Sequence, residues 1–213
     1  ARRDAFIAAA IAETGATAPW IGFNVALAAG ILREAASLAS RPAGEILATD
    51  KPGCLSMAIA QPRGVCLGIA PWNAPVILAT RAIAVPVALG NTAVLKSSEL
   101  CPATHRLIGQ CLLDAGIPAG VVNIVSNAPE DAAGIVRTLV CAPEVRHVNF
   151  TGSTRVGRII GALAGEALKP CLLELGGKAP FVVLEDADLE GAVNAAIFGC
   201  YLHQGQICMS TER

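Results

Sequence analysis

From Val65 onward, short apolar runs recur along the chain with helix-length stretches between them. The runs are Val65–Ala70, Thr92–Lys96, Val121–Val125 and Val145–Phe150. Each is too short for a stable helix and largely apolar, as expected of strands covered on both faces. The intervening stretches, Ala74–Ala88, Ala103–Ala115, Asp131–Cys141 and Thr154–Leu168, have helical length and spacing. Strand–helix alternation through short loops predicts right-handed crossovers and an α/β fold with a doubly wound, mostly parallel sheet.

The flanks read differently. Residues 1–50 are alanine-rich with helical spacing, as in Ile31-Leu32-Arg33-Glu34-Ala35-Ala36, and a strand and turn are expected between Pro52-Gly53 and Pro62-Arg63-Gly64. Beyond Lys169 two strand-like runs, Leu172–Leu175 and Phe181–Leu184, are separated only by Gly176-Gly177-Lys178-Ala179-Pro180. A helix is expected from about Leu189 towards His203, followed by Gln204-Gly205-Gln206-Ile207-Cys208. This change of pattern places a domain boundary near Leu175, with a first domain over residues 1–174 and the first elements of a second, α/β domain over 175–213. The chain starts without Met, partway through a helical pattern, and ends at Thr211-Glu212-Arg213, so both ends are expected to be cut from a longer polypeptide.

Composition narrows the function classes. The 213 residues are 54% hydrophobic and 15% charged with 21 glycines, which suits buried strands and close helix–sheet contacts. A formal net charge of −1, with no basic patch or polybasic run, argues against nucleic acid and anionic lipid as partners. The apolar stretch Trp20–Leu32 is short and interrupted by Gly22 and Asn24, and Gly64–Thr80 is broken by Pro71, Asn73 and Pro75, so no membrane span is expected. The eight cysteines include no CxxC, and Cys66, Cys111, Cys171 and Cys200 lie inside apolar runs. Free thiols in a reducing cytoplasm are the expectation.

Five segments carry residue types suited to chemistry. In Phe150-Thr151-Gly152-Ser153-Thr154-Arg155-Val156-Gly157, a strand end opens a helix. Glycine there permits close approach of a ligand, and the free N–H groups of a capped helix start suit an anion, although an ordinary N-cap turn looks the same. Leu95-Lys96-Ser97-Ser98-Glu99 ends a second strand, where a Lys and a Glu could bond ribose hydroxyls or form a solvated loop. Pro71-Trp72-Asn73-Ala74-Pro75 offers an amide donor on a stiffened turn. Leu173-Glu174-Leu175-Gly176-Gly177-Lys178 sets a carboxylate between leucines, which favours general-base work or a structural partner. Cys208 follows a polar, glycine-containing loop rather than an apolar run. His105, His147 and His203 lack ligand spacing and are read as structural, with no metal site.

Taken in order, these segments resemble the aldehyde dehydrogenase superfamily from about Gln61 to Arg213. LELGGKAP resembles its glutamate signature, HQGQIC its cysteine signature, and PWNAP and FTGSTRVG are similar to two further stretches. KSSELCPATHRLIG and CLLELGGKAPFVVLEDADL look like the salicylaldehyde and vanillin dehydrogenase branch, which implies aromatic aldehydes. Many relatives have proline where Ser97 stands, and the adenine-side turn, often glycine-rich, reads Ser126–Asp131 here.

The resemblance implies a Rossmann-like dinucleotide-binding domain and oxidation of an aldehyde to the acid through a cysteine thiohemiacetal and thioester. Cys208 would be the nucleophile, Asn73 with the Cys208 N–H the oxyanion donors, and Glu174 the base that activates water. Cofactor contacts would come from Ile69, Ala70, Pro71 and Trp72, from Lys96, Ser98 and Glu99, from Phe150, Thr151, Gly152, Ser153, Val156 and Gly157, and from Leu175 and Gly176. A carboxylate at Glu99 accepts from a ribose hydroxyl and repels a 2′-phosphate, favouring NAD over NADP. Most of the family's catalytic domain, including its oligomerisation strand, lies in a second half beyond this segment. The full-length form is therefore expected to be a homo-oligomer, and this stretch alone to be inactive.

Two other functions compete. A non-catalytic module would bind dinucleotide or a second subunit through the same surface. A CoA-acylating enzyme would resolve the thioester without a carboxylate base, which Glu174 argues against.

Overall fold

Strands apolar at nearly every position need cover on both sides, and the computed structural model, which describes residues 2–41 and 43–213, supplies it. Five parallel strands form one sheet: β3 (Val65–Ile69), β4 (Thr92–Lys96), β5 (Val122–Val125), β6 (Val145–Gly152) and β7 (Cys171–Leu175). Their order is β5-β4-β3-β6-β7. The crossovers are α3 (Pro75–Ala88), α4 (Pro102–Asp114), α5 (Ala132–Cys141) and α6 (Thr154–Glu166). The chain runs outward from β3 to β5, then returns to lay β6 beside β3. That reversal opens a crevice at the carboxyl ends of the strands.

Alternation along the strands divides the core in two. Ala70, Ala93 and Leu95 pack with Trp20, Ile21, Ile77, Ile83 and Ile108 on the face that carries α3 and α4. Leu67, Ile69, Val148 and Phe150 pack with Val140, Ile160 and Leu163 from α5 and α6 on the other. Two N-terminal helices, α1 (Arg3–Thr14) and α2 (Ala18–Leu38), complete the first face, α2 lying along α3. The helix α2 is longer than the apolar run at Trp20–Leu32, because alanine-rich turns continue it. By length and composition it could cross a membrane, yet here it buries Trp20, Ile21, Asn24, Ala28 and Ala35 inside the fold.

The helical spacing assigned to residues 1–50 stops at Leu38. A strand, β1 (Gly44–Leu47), pairs antiparallel with β2 (Ser56–Ile59) in a separate hairpin. Phe181–Leu184 is not a strand. Among the described residues pairing here stops at an Ala179–Thr211 bridge and a bond from the Phe181 N–H to the Arg213 carbonyl, so Val182, Val183 and Leu184 stay exposed. The last long helix, α7 (Leu189–Tyr201), ends before His203, which lies instead in a left-handed turn with φ 50°, followed by Gln204 at 54°. Positive φ at two non-glycine residues cannot propagate a right-handed helix.

Candidate active site

A cleft of about 510 Å³ lies at the carboxyl ends of β3, β4 and β6. One wall is the turn Ile69-Ala70-Pro71-Trp72, the second Lys96, Ser98 and Glu99, and the third Phe150, Thr151 and Gly152 with Val156. These eleven residues are predicted cofactor contacts, contributed by three strand ends. A cavity of about 580 Å³ sits at the opposite, amino-terminal strand ends, lined by Arg63, Arg146 and Lys169. It is remote from every predicted site residue, and its Lys169 ammonium is already bound by the Val140 carbonyl at 2.6 Å and the Ala142 carbonyl.

Charge in the cleft is prearranged. Lys96, only 4% exposed, is paired with the Glu99 carboxylate, which also accepts from the Asn127 amide at 3.1 Å. Burial by itself pushes the Glu99 carboxyl up. The hydrogen bonds from Lys96, its own backbone N–H and Asn127 outweigh that and hold it below the ordinary carboxylate value. The amide oxygen of Asn127 is buried without a partner among the described residues.

Of the remaining predicted contacts, Ser153, Gly157, Leu175 and Gly176 do not line the cleft. Ser153 caps α6, its hydroxyl accepting from the Val156 N–H. Gly157 lets α6 sit directly on β7, since a Cβ there would lie 2.5 Å from a Leu175 methyl. At Gly152 a Cβ would meet the Phe150 ring at 2.5 Å, so glycine keeps the cleft floor open. A capped helix start, a glycine at the cleft floor, and a largely buried Lys–Glu pair fit a dinucleotide with its pyrophosphate at α6. Sequence reasoning missed the outer walls, Ala132, Ala133, Val136 and Arg137 from α5, and Arg155, Ile159, Ile160 and Leu163 from α6. For Ala132, Ala133, Val136, Ile159, Ile160 and Leu163 the signal was the apolar stripe of each helix, which reads as ordinary core packing, while Arg137 and Arg155 bring charge to the cleft wall.

The predicted catalytic residues come together only in part. The side-chain N–H of Asn73 donates to the Gln206 carbonyl at 2.8 Å, tying the turn after β3 to the loop that carries Cys208. The Trp20 indole braces both sides of this junction. Its Nε1 donates to the Asn73 carbonyl at 2.9 Å, and its ring stacks on His203 with centroids 4.9 Å apart. After Cys208 the chain returns to Ala179, whose carbonyl accepts from the Glu212 N–H, just past the Glu174 segment. Glu174 makes no hydrogen bond to Asn73 or Cys208. The desolvation expected of it is absent, because β7 is an edge strand and the face bearing Leu172 and Glu174 is exposed. Cys208 is exposed as well.

The whole chain, residues 1–213, matches the aldehyde dehydrogenase family. It is 67% identical over 213 residues to a vanillin dehydrogenase of Pseudomonas fluorescens, covering all of this chain and 44% of that protein. The crystal structure of a salicylaldehyde dehydrogenase from Pseudomonas putida G7, complexed with salicylaldehyde, superposes with a TM-score of 0.97 at 54% identity, over 100% of this chain and 44% of that one. An NAD-dependent benzaldehyde dehydrogenase from Corynebacterium glutamicum gives 0.92 at 38% identity, over 99% of this chain and 46% of that one. The chain thus spans less than half the length of these relatives. With the match running from end to end, it belongs to the aldehyde dehydrogenase family.

Proposed function

We propose that this chain carries the dinucleotide cleft and the nucleophile of an enzyme that oxidises an aromatic aldehyde to its carboxylic acid, with NAD as the preferred cofactor. The observation that carries this reading is the bond from Asn73 to the Cys208 loop beside the cleft. It joins an amide donor, a thiol segment and a nucleotide-sized groove at one end of the sheet.

A bound nicotinamide dinucleotide supplies the hydride acceptor. Lys96 and Glu99 would hold its adenosine ribose, and the start of α6 would hold its pyrophosphate. The Cys208 thiolate adds to the aldehyde carbon, forming a C–S bond and an oxyanion. An amide nitrogen carries two N–H groups. One from Asn73 fixes the loop through Gln206, and the other, with the Cys208 N–H, receives the oxyanion. Once the carbon has given up hydride, the acyl group is a thioester. Glu174, reached by water on the exposed face of β7, takes a proton from the attacking water and releases the acid and the free thiol.

Glu99, held ionised, disfavours a 2′-phosphate and supports NAD over NADP. The names of the vanillin, salicylaldehyde and benzaldehyde relatives support aromatic substrates. We also place the boundary between two structural units at Leu175, because α7 buries none of its residues. The hairpin of β1 and β2, with Ile46, Met57 and Ile59 exposed, supports a homo-oligomer. Eight free thiols support a reducing compartment, the cytoplasm.

Aldehyde-dependent NADH formation by the intact gene product tests the reading. Cys208→Ala should abolish it. Glu174→Gln should keep a first burst of NADH and lose steady-state turnover. Full activity in the first variant overturns the nucleophile, and unchanged turnover in the second overturns the base. Exposure of both Cys208 and Glu174 favours a second reading, a dinucleotide-binding module without catalysis. Nucleotide affinity without aldehyde-dependent reduction would establish that alternative.

A further inference from the structure

The loop that presents Lys96 and Glu99 is held from beneath by a side chain with no assigned role. His105, on the first turns of α4, is fully buried. Its Nδ1 lies 3.3 Å from the Ser98 backbone N–H, and its Nε2 lies 3.5 Å from the Cys101 sulfur. A backbone N–H can only donate, so Nδ1 is the acceptor and the ring proton sits on Nε2, where the Cys101 sulfur and the Pro75 backbone are its neighbours.

Cys101 and His105 could be mistaken for a nucleophilic dyad. Burial excludes that, pushing the Cys101 thiol up to about 12 and the imidazole down to about 4. Both partners stay neutral, and neither faces the cleft. Instead the pair pins both ends of the segment Ser98–Cys101, within which Glu99 turns back to Lys96. The base of this peg is itself fixed. Glu13 from α1 accepts from the N–H groups of Ala103 at 2.7 Å and Thr104 at 2.9 Å, and from the Thr104 hydroxyl.

We propose that His105 is a positioning residue for the ribose end of the cofactor cleft, its Nδ1 holding the Ser98 backbone so that Lys96 and Glu99 meet the adenosine ribose. This rests on the dinucleotide reading above. His105 touches no ligand. It acts through Ser98, whose N–H would otherwise be buried without a partner.

The test compares His105→Leu, His105→Asn and His105→Gln in the intact gene product. Affinities for NAD, ADP-ribose and nicotinamide mononucleotide are measured, with KM and kcat alongside. Asn places an acceptor near the Nδ1 position and Gln near the Nε2 position. His105→Leu should weaken NAD and ADP-ribose about tenfold. Nicotinamide mononucleotide, aldehyde KM, and kcat at saturating NAD should stay unchanged. His105→Asn should recover most of the affinity and His105→Gln should not. Wild-type affinity for ADP-ribose in His105→Leu overturns the inference, as does equal weakening of both half-ligands. Should His105→Leu fail to fold, equal affinities in the Asn and Gln variants overturn it. A wild-type protein that binds no ADP-ribose overturns the dinucleotide reading and this inference together, whereas binding with unaffected variants overturns this inference alone.

Discussion

At the scale of single residues, the eight cysteines show how one side chain takes different chemistry from its surroundings. Cys54, Cys141 and Cys208 are exposed, while Cys66 and Cys101 are buried. Burial raises the thiols of Cys66, Cys111 and Cys171 above the ordinary 9.0, and that of Cys101 to about 12. Only the thiolate attacks an alkylating reagent. A thiol held at about 12 has, near neutral pH, about a thousandfold smaller thiolate fraction than an ordinary one. Iodoacetamide at mildly alkaline pH, followed by peptide mass mapping, should therefore label Cys54, Cys141 and Cys208 first. Cys101 should react only after unfolding. Labelling of Cys101 in the native protein as fast as Cys208 would contradict the burial on which the His105 argument also depends.

Among the elements, α4 shows a helix start completed from outside its own neighbourhood. Cys101 gives no side-chain cap to α4. The carboxylate of Glu13 takes that place from α1, accepting three hydrogen bonds at the positive end of the helix dipole. Removing it in Glu13→Ala leaves two N–H groups and a hydroxyl unpaired, at a cost of about 2 kcal/mol in unfolding free energy. Glu13→Gln, which keeps an acceptor but loses the charge, should cost about half as much. Urea denaturation of the two variants measures both, and an unperturbed Glu13→Ala midpoint would show that water replaces the clamp.

This cap also marks the limit of what the sequence discloses. The parallel strands and their crossovers were legible because hydrophobic period and loop length are local properties. So was the cleft, since Lys96, Glu99 and Gly152 sit at strand ends where an open α/β sheet binds ligands. Partners distant in sequence were not legible. No local rule connects Glu13 to Thr104 or Trp20 to His203. The apolar run Phe181–Leu184 reads as a strand by composition, but a strand requires a continuous ladder, and among the described residues only Phe181 in this run finds a backbone partner in a distant segment, the Arg213 carbonyl. Glu174 failed in the opposite sense: its flanking leucines suggested a dry site, whereas its strand lies at the sheet edge.

For the molecule as a whole, the histidines couple stability to pH. Burial lowers all three: His105 to about 4, and His147 and His203 below the ordinary 6.5. In the unfolded chain each titrates near 6.5. Between that pH and the folded value the unfolded state therefore binds more protons, so stability rises with pH and is lost on acidification. For His105 the window runs from about 6.5 down to about 4 and amounts to about 3 kcal/mol. Glu99 acts in a lower window. Its folded value lies below 4.5, so its contribution is complete above that pH and disappears only as pH falls through the folded value. Acid should consequently weaken the protein in two stages, histidines first and the Lys96–Glu99 pair second. His203 belongs to the first stage: among the described residues its buried ring nitrogens have no partner, and the ring stacks on Trp20. Unfolding free energies from urea titrations at neutral and mildly acidic pH should show the first stage. His105→Asn should remove the His105 share of it, since an amide does not titrate, and leave those of His147 and His203. A wild-type stability that stays constant down to pH about 4.5 would show that the buried imidazoles gain protons in the folded state as readily as in water, against the desolvation on which this coupling rests.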